Sequence, residues 1–320
     1  MTLMEISDLN VWYRSGLKPV WALRSVSLSL KEETAYGIVG ESGSGKSTLA
    51  RAILRLLPES TEVRGQIIYE GKDLLKLNDP EMRKYRWKQL AIVFQGSMNS
   101  LSPVHRIGEQ LMDIYRTHDT RKTRQELKRE ILTLFRKLNL TDGSFKSYPH
   151  ELSGGMMQRV NIAMSMLLNP KVLILDEATT ALDVITERQI LEEIKVMEKE
   201  YPVLRLTITH DVSVVNTSCQ EVIVMYGGYV VEQGKVADVF EKPRHPYTRG
   251  LLDAYPDLDS TDREFKGIPG SIPDPSSTLE GCVFRERCFQ AREDCRRMPL
   301  LKGVDGRKVA CHYPLGGRHE

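Results

Sequence analysis

Residues 34–47 read TAYGIVGESGSGKS, and the last eight match the phosphate-binding pattern G-x-x-x-x-G-K-S/T. The apolar run before Gly40 is typical of a buried strand. The residues from Thr48 to Leu57 repeat apolar side chains at helical spacing. The stretch therefore predicts a strand, a phosphate loop and a helix, which is a unit of α/β folds.

Each residue type in this loop suits a specific role in binding phosphate or Mg²⁺. Glycines let backbone N–H groups converge on phosphate oxygens, and the helix that follows points its positive end at the same anion. Lys46 can neutralise the terminal phosphates, and Ser47 can ligate Mg²⁺. The ATP-binding residues predicted here are Gly40, Ser42, Gly43, Ser44, Gly45, Lys46, Ser47 and Thr48.

The remaining pattern predicts the fold class. Strand and helix patterns alternate through the middle of the chain, which indicates a mostly parallel sheet, and alternating antiparallel strands flank it at both ends. A helical insert is expected over about residues 97–168. After about Phe240 prolines cluster and strand patterns fade, so we predict one domain over residues 1–240 and a small C-terminal extension over 241–320.

One basic segment of the insert, RKTRQELKREILTLFRKLNL at residues 121–140, carries an apolar stripe at helical spacing. A helix on a membrane surface is one interpretation. Packing inside the helical insert is the one we favour. The stripe consists of Leu127, Ile131, Leu134, Phe135 and Leu138.

Bulk composition excludes several classes of protein. The hydrophobic content of 41% suits a buried core, and a net charge of +2 gives no reason to expect a nucleic-acid partner. No run of 18 apolar residues occurs, and the first residues, MTLMEISDLN, lack the features of a secretion signal. We therefore expect a cytoplasmic location.

A carboxylate pair follows an apolar strand later in the chain. Leu173–Leu175 leads directly into Asp176 and Glu177. Asp176 at such a strand end can hold Mg²⁺. Glu177, one residue further, can take a proton from an attacking water.

Residues 152–156 read LSGGM, a motif that we call the signature, and begin a helical pattern. Ser153 is a good N-cap, and Gly154 and Gly155 expose N–H groups at a helix start, which makes an anion site with no phosphate nearby in its own chain. The order of these motifs resembles that of ABC transporter ATPases, which share the P-loop NTPase fold. The resemblance covers about residues 4–240.

The resemblance implies roles for further residues. Ser153, Gly154, Gly155 and Met156 would bind, in trans, the γ-phosphate held by a second ABC ATPase subunit, either a related paralogue or a copy of this chain. With Lys46 and Glu177, the implied catalytic residues are Gln95 and His210. Gln95 would join Ser47 and Asp176 at Mg²⁺, Asp183 would lie in the loop crossing the dimer seam, and Tyr13 would stack on adenine, with Trp12 as the alternative.

Three features resemble the dipeptide and oligopeptide importers of this family: RHPYTRGLLDAYP at residues 244–256, FQGSMNSLSP at 94–103, and Met156 in the signature. The resemblance implies peptide import driven with two permease subunits and an extracytoplasmic solute-binding protein, from the cytoplasmic face of the membrane. Import of oligosaccharides or of a metal chelate is an alternative. Less favoured are a non-transport ABC ATPase, a P-loop kinase and a binding module without hydrolysis.

Four cysteines, Cys282, Cys288, Cys295 and Cys311, lie near the C-terminus. Their spacing differs from the close pairs usual for structural zinc. Some relatives among the peptide-importer ATPases carry similar cysteines with a 4Fe-4S cluster, and the resemblance implies one here. Zinc, free thiols and disulfides remain the alternatives.

Overall fold

The structure, a computed structural model of the chain, describes residues 1–15, 18–96, 100–179, 182–254, 267–277 and 280–316. The strands within these ranges are β1 (Thr2–Ser15), β2 (Lys18–Lys31), β3 (Ala35–Val39), β4 (Thr61–Tyr69), β5 (Lys72–Asp73), β6 (Leu90–Val93), β7 (Val172–Asp176), β8 (Leu204–Ile208), β9 (Glu221–Tyr226), β10 (Tyr229–Lys235), β11 (Lys302–Val304) and β12 (Arg307–Val309). The helices are α1 (Lys46–Ile53), α2 (Asp79–Arg83), α3 (Ile107–His118), α4 (Arg124–Lys137), α5 (Gly154–Met166), α6 (Val184–Glu198), α7 (Val212–Ser218), α8 (Val236–Glu241) and α9 (Pro246–Asp253).

These elements form two compact units. The first contains Met1–Lys31, Tyr36–Lys76 and Ile208–Glu320, and the second contains Glu32–Ala35 and Leu77–Thr207. Helices α3, α4 and α5 occupy the range expected for the helical insert, and its first residues, 97–99, lie outside the described residues. The division into domains at residue 240 stays a prediction.

The first unit begins with an antiparallel sheet in the order β2-β1-β4-β5. Met4 pairs with Leu30 on one side and with Tyr69 on the other, and all three side chains are buried. The prediction of antiparallel strands at the start of the chain is confirmed. Alternate side chains of β1 enter the core because successive residues of a strand face opposite sides.

A second sheet of this unit carries the phosphate loop. Strand β3 pairs in parallel with β9, β10 runs antiparallel to β9, and β12 and β11 follow on the outer side of β10. We expected strand patterns to fade after Phe240, yet β11 and β12 are strands. Each has three residues, which is too short to show the alternation that identifies a strand in sequence.

The C-terminal residues share the core of the first unit. Buried side chains of the sheet and of the C-terminal part form one cluster that includes Val39, Val224, Tyr226, Val231, Tyr247, Leu251, Val283 and Phe284. Burial of each large side chain contributes about 1.5–3 kcal/mol. The extension is therefore held by the same apolar packing as the phosphate-loop sheet.

The second unit combines strands and helices around its own core. Strands β8, β7 and β6 are neighbours, with β6 and β7 parallel. Helix α4 begins with a capping box between Thr123 and Glu126. Its apolar stripe is buried in the core of the unit, which confirms the prediction of packing inside the insert. In the part of the chain that the structure describes, no helix is long and apolar enough to cross a membrane.

Candidate nucleotide site

The phosphate loop connects β3 to α1 and depends on glycine at two close approaches. Gly40 has a φ of 150°, and a Cβ there would lie 2.1 Å from the carbonyl oxygen of Met225. Gly45 has a φ of 101°, and its Cβ would lie 2.4 Å from the carbonyl oxygen of Ala22. Gly43 has a φ of 80°, and no atom of the described residues lies within 4 Å of a Cβ built there. Only the backbone conformation favours glycine at that position.

Lys46 starts helix α1 and is buried. Its ammonium group donates hydrogen bonds to the carbonyl oxygens of Gly40 at 2.8 Å and Glu41 at 2.9 Å, and to the hydroxyl of Ser44 at 3.3 Å. Ser42 is exposed on the loop, whereas Ser44 is fully buried. Helix α1 begins without a side-chain cap, so an anion can take that role.

Tyr13 lies beside this helix. Its hydroxyl is 3.2 Å from the hydroxyl of Thr48, the residue after the half-buried Ser47. The ring of Trp12 packs against Trp21 with centroids 4.7 Å apart, and the Arg64 guanidinium lies 5.0 Å from its centroid. These contacts engage Trp12 elsewhere and favour Tyr13 as the aromatic residue next to the loop. Stacking on adenine stays a prediction.

The carboxylate pair lies at the end of β7 in the second unit. Asp176 is 2% exposed, and Glu177 has a φ of 48°. A positive φ is uncommon for glutamate and costs free energy of about 1–3 kcal/mol, and such strain clusters at functional sites. The amide of Gln95 donates a hydrogen bond of 2.8 Å to Oε2 of Glu177. The structure thus joins two of the predicted catalytic residues directly.

The signature residues begin helix α5 as the sequence predicts. The Ser153 hydroxyl caps the helix by accepting a hydrogen bond of 3.3 Å from the backbone N–H of Met156. Ser153 is exposed, and Gly154 and Gly155 are half-buried. A Cβ at Gly155 would lie 2.8 Å from the Cγ2 methyl of Thr186. The helix start therefore presents N–H groups beside a residue from α6.

Thr186 also donates hydrogen bonds to Asp183, the residue predicted to lie in the loop that crosses the dimer seam. Asp183 is the N-cap of α6 and accepts hydrogen bonds from the Thr186 backbone N–H at 2.9 Å and from its hydroxyl at 2.7 Å. These bonds, the backbone one first, hold the pKa of Asp183 below its usual range. Sequence reasoning missed Thr186 as the link between Gly155 and Asp183. The spacing D-x-x-T, which is a helix-capping pattern, was the available signal.

The remaining predicted residues fall in different units. His210 is exposed just after β8 and belongs, with Lys46 and Ser47, to the first unit. Gln95 and Asp176 belong to the second. The magnesium set of Ser47, Gln95 and Asp176 therefore draws on both units and stays a prediction.

Two family models match the chain. Residues 23–180 match the ABC transporter family, and residues 231–295 match the C-terminal region of oligopeptide/dipeptide transporters. The chain is 40% identical to the oligopeptide transport ATP-binding protein OppD of Salmonella typhimurium, over 98% of this chain and 94% of that protein. The chain belongs to the family of ABC transporter ATP-binding proteins. The prediction that it is an ABC ATPase is thereby confirmed.

Another relative and two solved structures support the same family assignment. A probable peptide ABC transporter ATP-binding protein, y4tR of Sinorhizobium fredii, is 42% identical over 97% of this chain and 94% of its own length. The dimeric structure of MJ0796, a bacterial ABC transporter cassette, is 27% identical with a TM-score of 0.66, covering 73% of this chain and 99% of that one. A post-hydrolysis state of MJ0796 with ADP and Pi aligns equally well. The predicted P-loop NTPase fold is confirmed, and its sheets contain both parallel and antiparallel strand pairs.

The C-terminal cysteines of this ABC ATPase line one small cavity of about 10 Å³. Its other lining residues include His245, Phe284, His312 and Tyr313. All four cysteines are free thiols, and Cys295 is the one counted as buried. Across the described ranges, no group of three or more His, Cys, Asp or Glu side chains is arranged to hold a metal ion. The expected 4Fe-4S cluster is therefore not confirmed, and neither is zinc, its alternative.

Burial governs the chemistry of these thiols. It raises the pKa of Cys282 to about 11 and that of Cys311 to about 12, and it raises the pKa of Cys288 as well. The thiols of Cys282, Cys288 and Cys311 therefore stay protonated at neutral pH unless a metal replaces their protons. Gly281, with a φ of 85°, brings the backbone of Cys282 within 2.8 Å of the carbonyl oxygen of Cys295. A Cβ on Gly281 would meet that oxygen at 2.4 Å.

Proposed function

We propose that this ABC ATPase binds ATP and Mg²⁺ in a site shared with a second ABC ATPase subunit, and that hydrolysis powers import of peptides. The observation that carries the shared site is the start of α5. There the exposed Ser153 caps the helix, and the half-buried Gly154 and Gly155 form its first turn. Thr186 links this helix start to Asp183. Such a helix start binds anions, and a partner's γ-phosphate is the anion that the family arrangement supplies.

The residues of this chain would divide the chemistry between them. Lys46 would pair with the β- and γ-phosphates, and Tyr13 would cover the adenine. Glu177, oriented by Gln95, would accept a proton from the attacking water, with His210 near the γ-phosphate. Ser47, Gln95 and Asp176 would hold Mg²⁺, which supplies positive charge to the terminal phosphates.

The C-terminal match supports peptides as the cargo class, because several of the full-length relatives are named as peptide, dipeptide or oligopeptide transport proteins. Oligosaccharide import is the alternative with the same motor. The partners in this proposal are two permease subunits and a solute-binding protein, with no nucleic acid. The chain would act at the cytoplasmic face of the membrane, where Gln95 and the helical insert would transmit opening and closing to the permease.

A shared site predicts that ATPase activity depends on a second subunit. The purified chain at nanomolar concentration should be nearly inactive, because each phosphate loop then lacks a signature helix opposite it. Specific activity should rise when the partner ATPase subunit, or more of this chain, is added. The measurement is phosphate release against protein concentration. Full activity that is independent of concentration and of any partner would contradict the shared site.

We also propose that the cysteine-lined cavity holds a 4Fe-4S cluster. Zinc would draw four sulfur atoms to within about 4 Å of one another, because a Zn–S bond is about 2.3 Å long. The cysteines of this chain also lack the close spacing that is usual for structural zinc. Four thiols around one cavity are the ligand set of a multi-iron cluster. The cluster would tie together a short extension that has little core of its own.

Anaerobically purified protein should be brown and contain about four iron atoms per chain. Changing Cys295→Ser should remove most of the iron and colour, since one of four ligands is lost. Cys219→Ser is the matched control, because Cys219 does not line the cavity, and it should keep the iron. Iron analysis measures the iron content of both variants, and visible absorption measures their colour. Colourless protein with one zinc per chain would rule out the cluster.

A further inference from the structure

Two residues of the C-terminal extension contact Glu41, the second residue of the phosphate loop. The Tyr247 hydroxyl accepts a hydrogen bond of 2.9 Å from the backbone N–H of Glu41. The Arg287 guanidinium donates to both carboxylate oxygens of Glu41, at 3.1 and 3.0 Å. The phosphate-binding pattern leaves position 41 unspecified, so these contacts are additional to it.

The hydroxyl of Tyr247 is held in a fixed place. Tyr247 is fully buried, with its ring centroid 4.5 Å from that of Tyr226 and 5.4 Å from that of Phe284. It lies in the first turn of α9, whose entry is anchored by Glu232. That fully buried carboxylate accepts hydrogen bonds from the backbone N–H groups of Arg244 at 3.0 Å and His245 at 2.9 Å.

Arg287 is fixed equally well. Its side chain is 7% exposed, and besides Glu41 it donates to the carbonyl oxygens of Pro269 and Ile268, at 2.9 and 3.0 Å. A further bond of 3.0 Å goes to the hydroxyl of Tyr226. A planar guanidinium bonded on all sides keeps one orientation, which makes it a precise support for a carboxylate.

Lys46 contacts the same residue of the phosphate loop, Glu41. The Lys46 ammonium bonds the carbonyl oxygens of Gly40 and Glu41 from within the loop, and Tyr247 and Arg287 hold Glu41 from outside. A loop that is already shaped before the phosphates arrive avoids the entropy cost of being ordered on binding.

We propose that the C-terminal extension sets the nucleotide affinity of this ABC ATPase, with Tyr247 and Arg287 as positioning residues that act through Glu41. The inference rests on the proposed function, namely ATP binding at the phosphate loop. It gives the extension a part in nucleotide binding in addition to any metal that it holds.

The first test uses the full chain and measures the dissociation constant for ATP with Mg²⁺ by calorimetry, together with the thermal midpoint. Tyr247→Phe keeps the ring and removes only the acceptor for the Glu41 N–H, so we expect about fivefold weaker binding, or ~1 kcal/mol. Arg287→Ala should weaken binding at least as much. Arg296→Ala is the matched control, because this exposed arginine pairs only locally with Glu293, and its affinity should be unchanged.

A double-mutant cycle separates positioning from general support of the fold. In a Glu41→Ala background, Arg287→Ala should cause no further loss of affinity, because its carboxylate partner is gone. Tyr247→Phe should still weaken binding there, because its partner is the backbone N–H. Glu41→Gln breaks the ion pair from the loop side with the extension intact, and should weaken binding even if Arg287→Ala folds poorly.

The outcomes are distinguishable. Unchanged ATP affinity in Tyr247→Phe and Glu41→Gln would overturn the inference, as would an equal effect of Arg287→Ala with and without the Glu41 carboxylate. A lowered thermal midpoint with normal affinity would assign these contacts to stability alone. If the unaltered chain bound no ATP, the proposed function itself would fail.

Discussion

Replacing Glu177 with glutamine is expected to lower the rate of ATP hydrolysis by about 10²–10⁴-fold while ATP binding is preserved. Glu177 follows the buried Asp176 at the end of β7 in a left-handed backbone conformation. Gln95 donates a hydrogen bond of 2.8 Å to its Oε2 atom, which fixes the orientation of the carboxylate. Glutamine keeps the shape and can still accept the bond from Gln95, but it cannot take up the proton.

The measurement is phosphate release at saturating ATP in the assembled complex, with ATP affinity determined separately. Glu192→Gln is the control, because Glu192 lies on α6, is 59% exposed at its side chain and pairs with Lys195. That variant should hydrolyse ATP at the normal rate. Near-normal turnover in Glu177→Gln would remove Glu177 from the role of general base and leave His210 as the candidate.

Substituting alanine for Gly40 is expected to destabilise the first unit by about 3 kcal/mol or more and to abolish tight ATP binding. Two costs add here. The φ of 150° is one that alanine rarely adopts, and the new Cβ would lie 2.1 Å from the carbonyl oxygen of Met225 on β9. Backbone cannot move aside as a flexible side chain can, so either β9 or the loop must shift.

Gly43→Ala provides the comparison, because Gly43 has a φ of 80° but open space around its Cβ. This substitution should lower the free energy of unfolding by only about 1 kcal/mol, because only the backbone conformation is unfavourable for alanine. Thermal or denaturant unfolding measures the difference between the two variants. Equal stability of both would show that the close approach to Met225 does not constrain the loop.

Much of this architecture was accessible from the sequence because its signals are local. The stripe from Leu127 to Leu138 repeats at helical spacing, and α4 buries it as predicted. The phosphate loop and the signature each lie within a few residues, and the chemistry of phosphate binding restricts which residue types can occur there.

The rest depends on contacts between distant residues. Arg287 and Glu41 are 246 positions apart, and neither belongs to a pattern that names the other. The strands β11 and β12 are too short for periodicity. They are strands because β12 pairs with the edge of β10 and β11 pairs with β12. Thr186 acquires its place beside Gly155 only when α5 and α6 pack together.

The pairing of β10 with β12 has a consequence for how the protein is made. Synthesis proceeds from the N-terminus, so residues 77–207, a nearly complete unit, leave the ribosome while the phosphate-loop sheet still lacks β9, β10 and β12. The outer edge of β10 is covered only after Val309 emerges. Until then this sheet has an open edge that can pair wrongly, so the nascent chain is exposed to aggregation while residues 236–309 are being made.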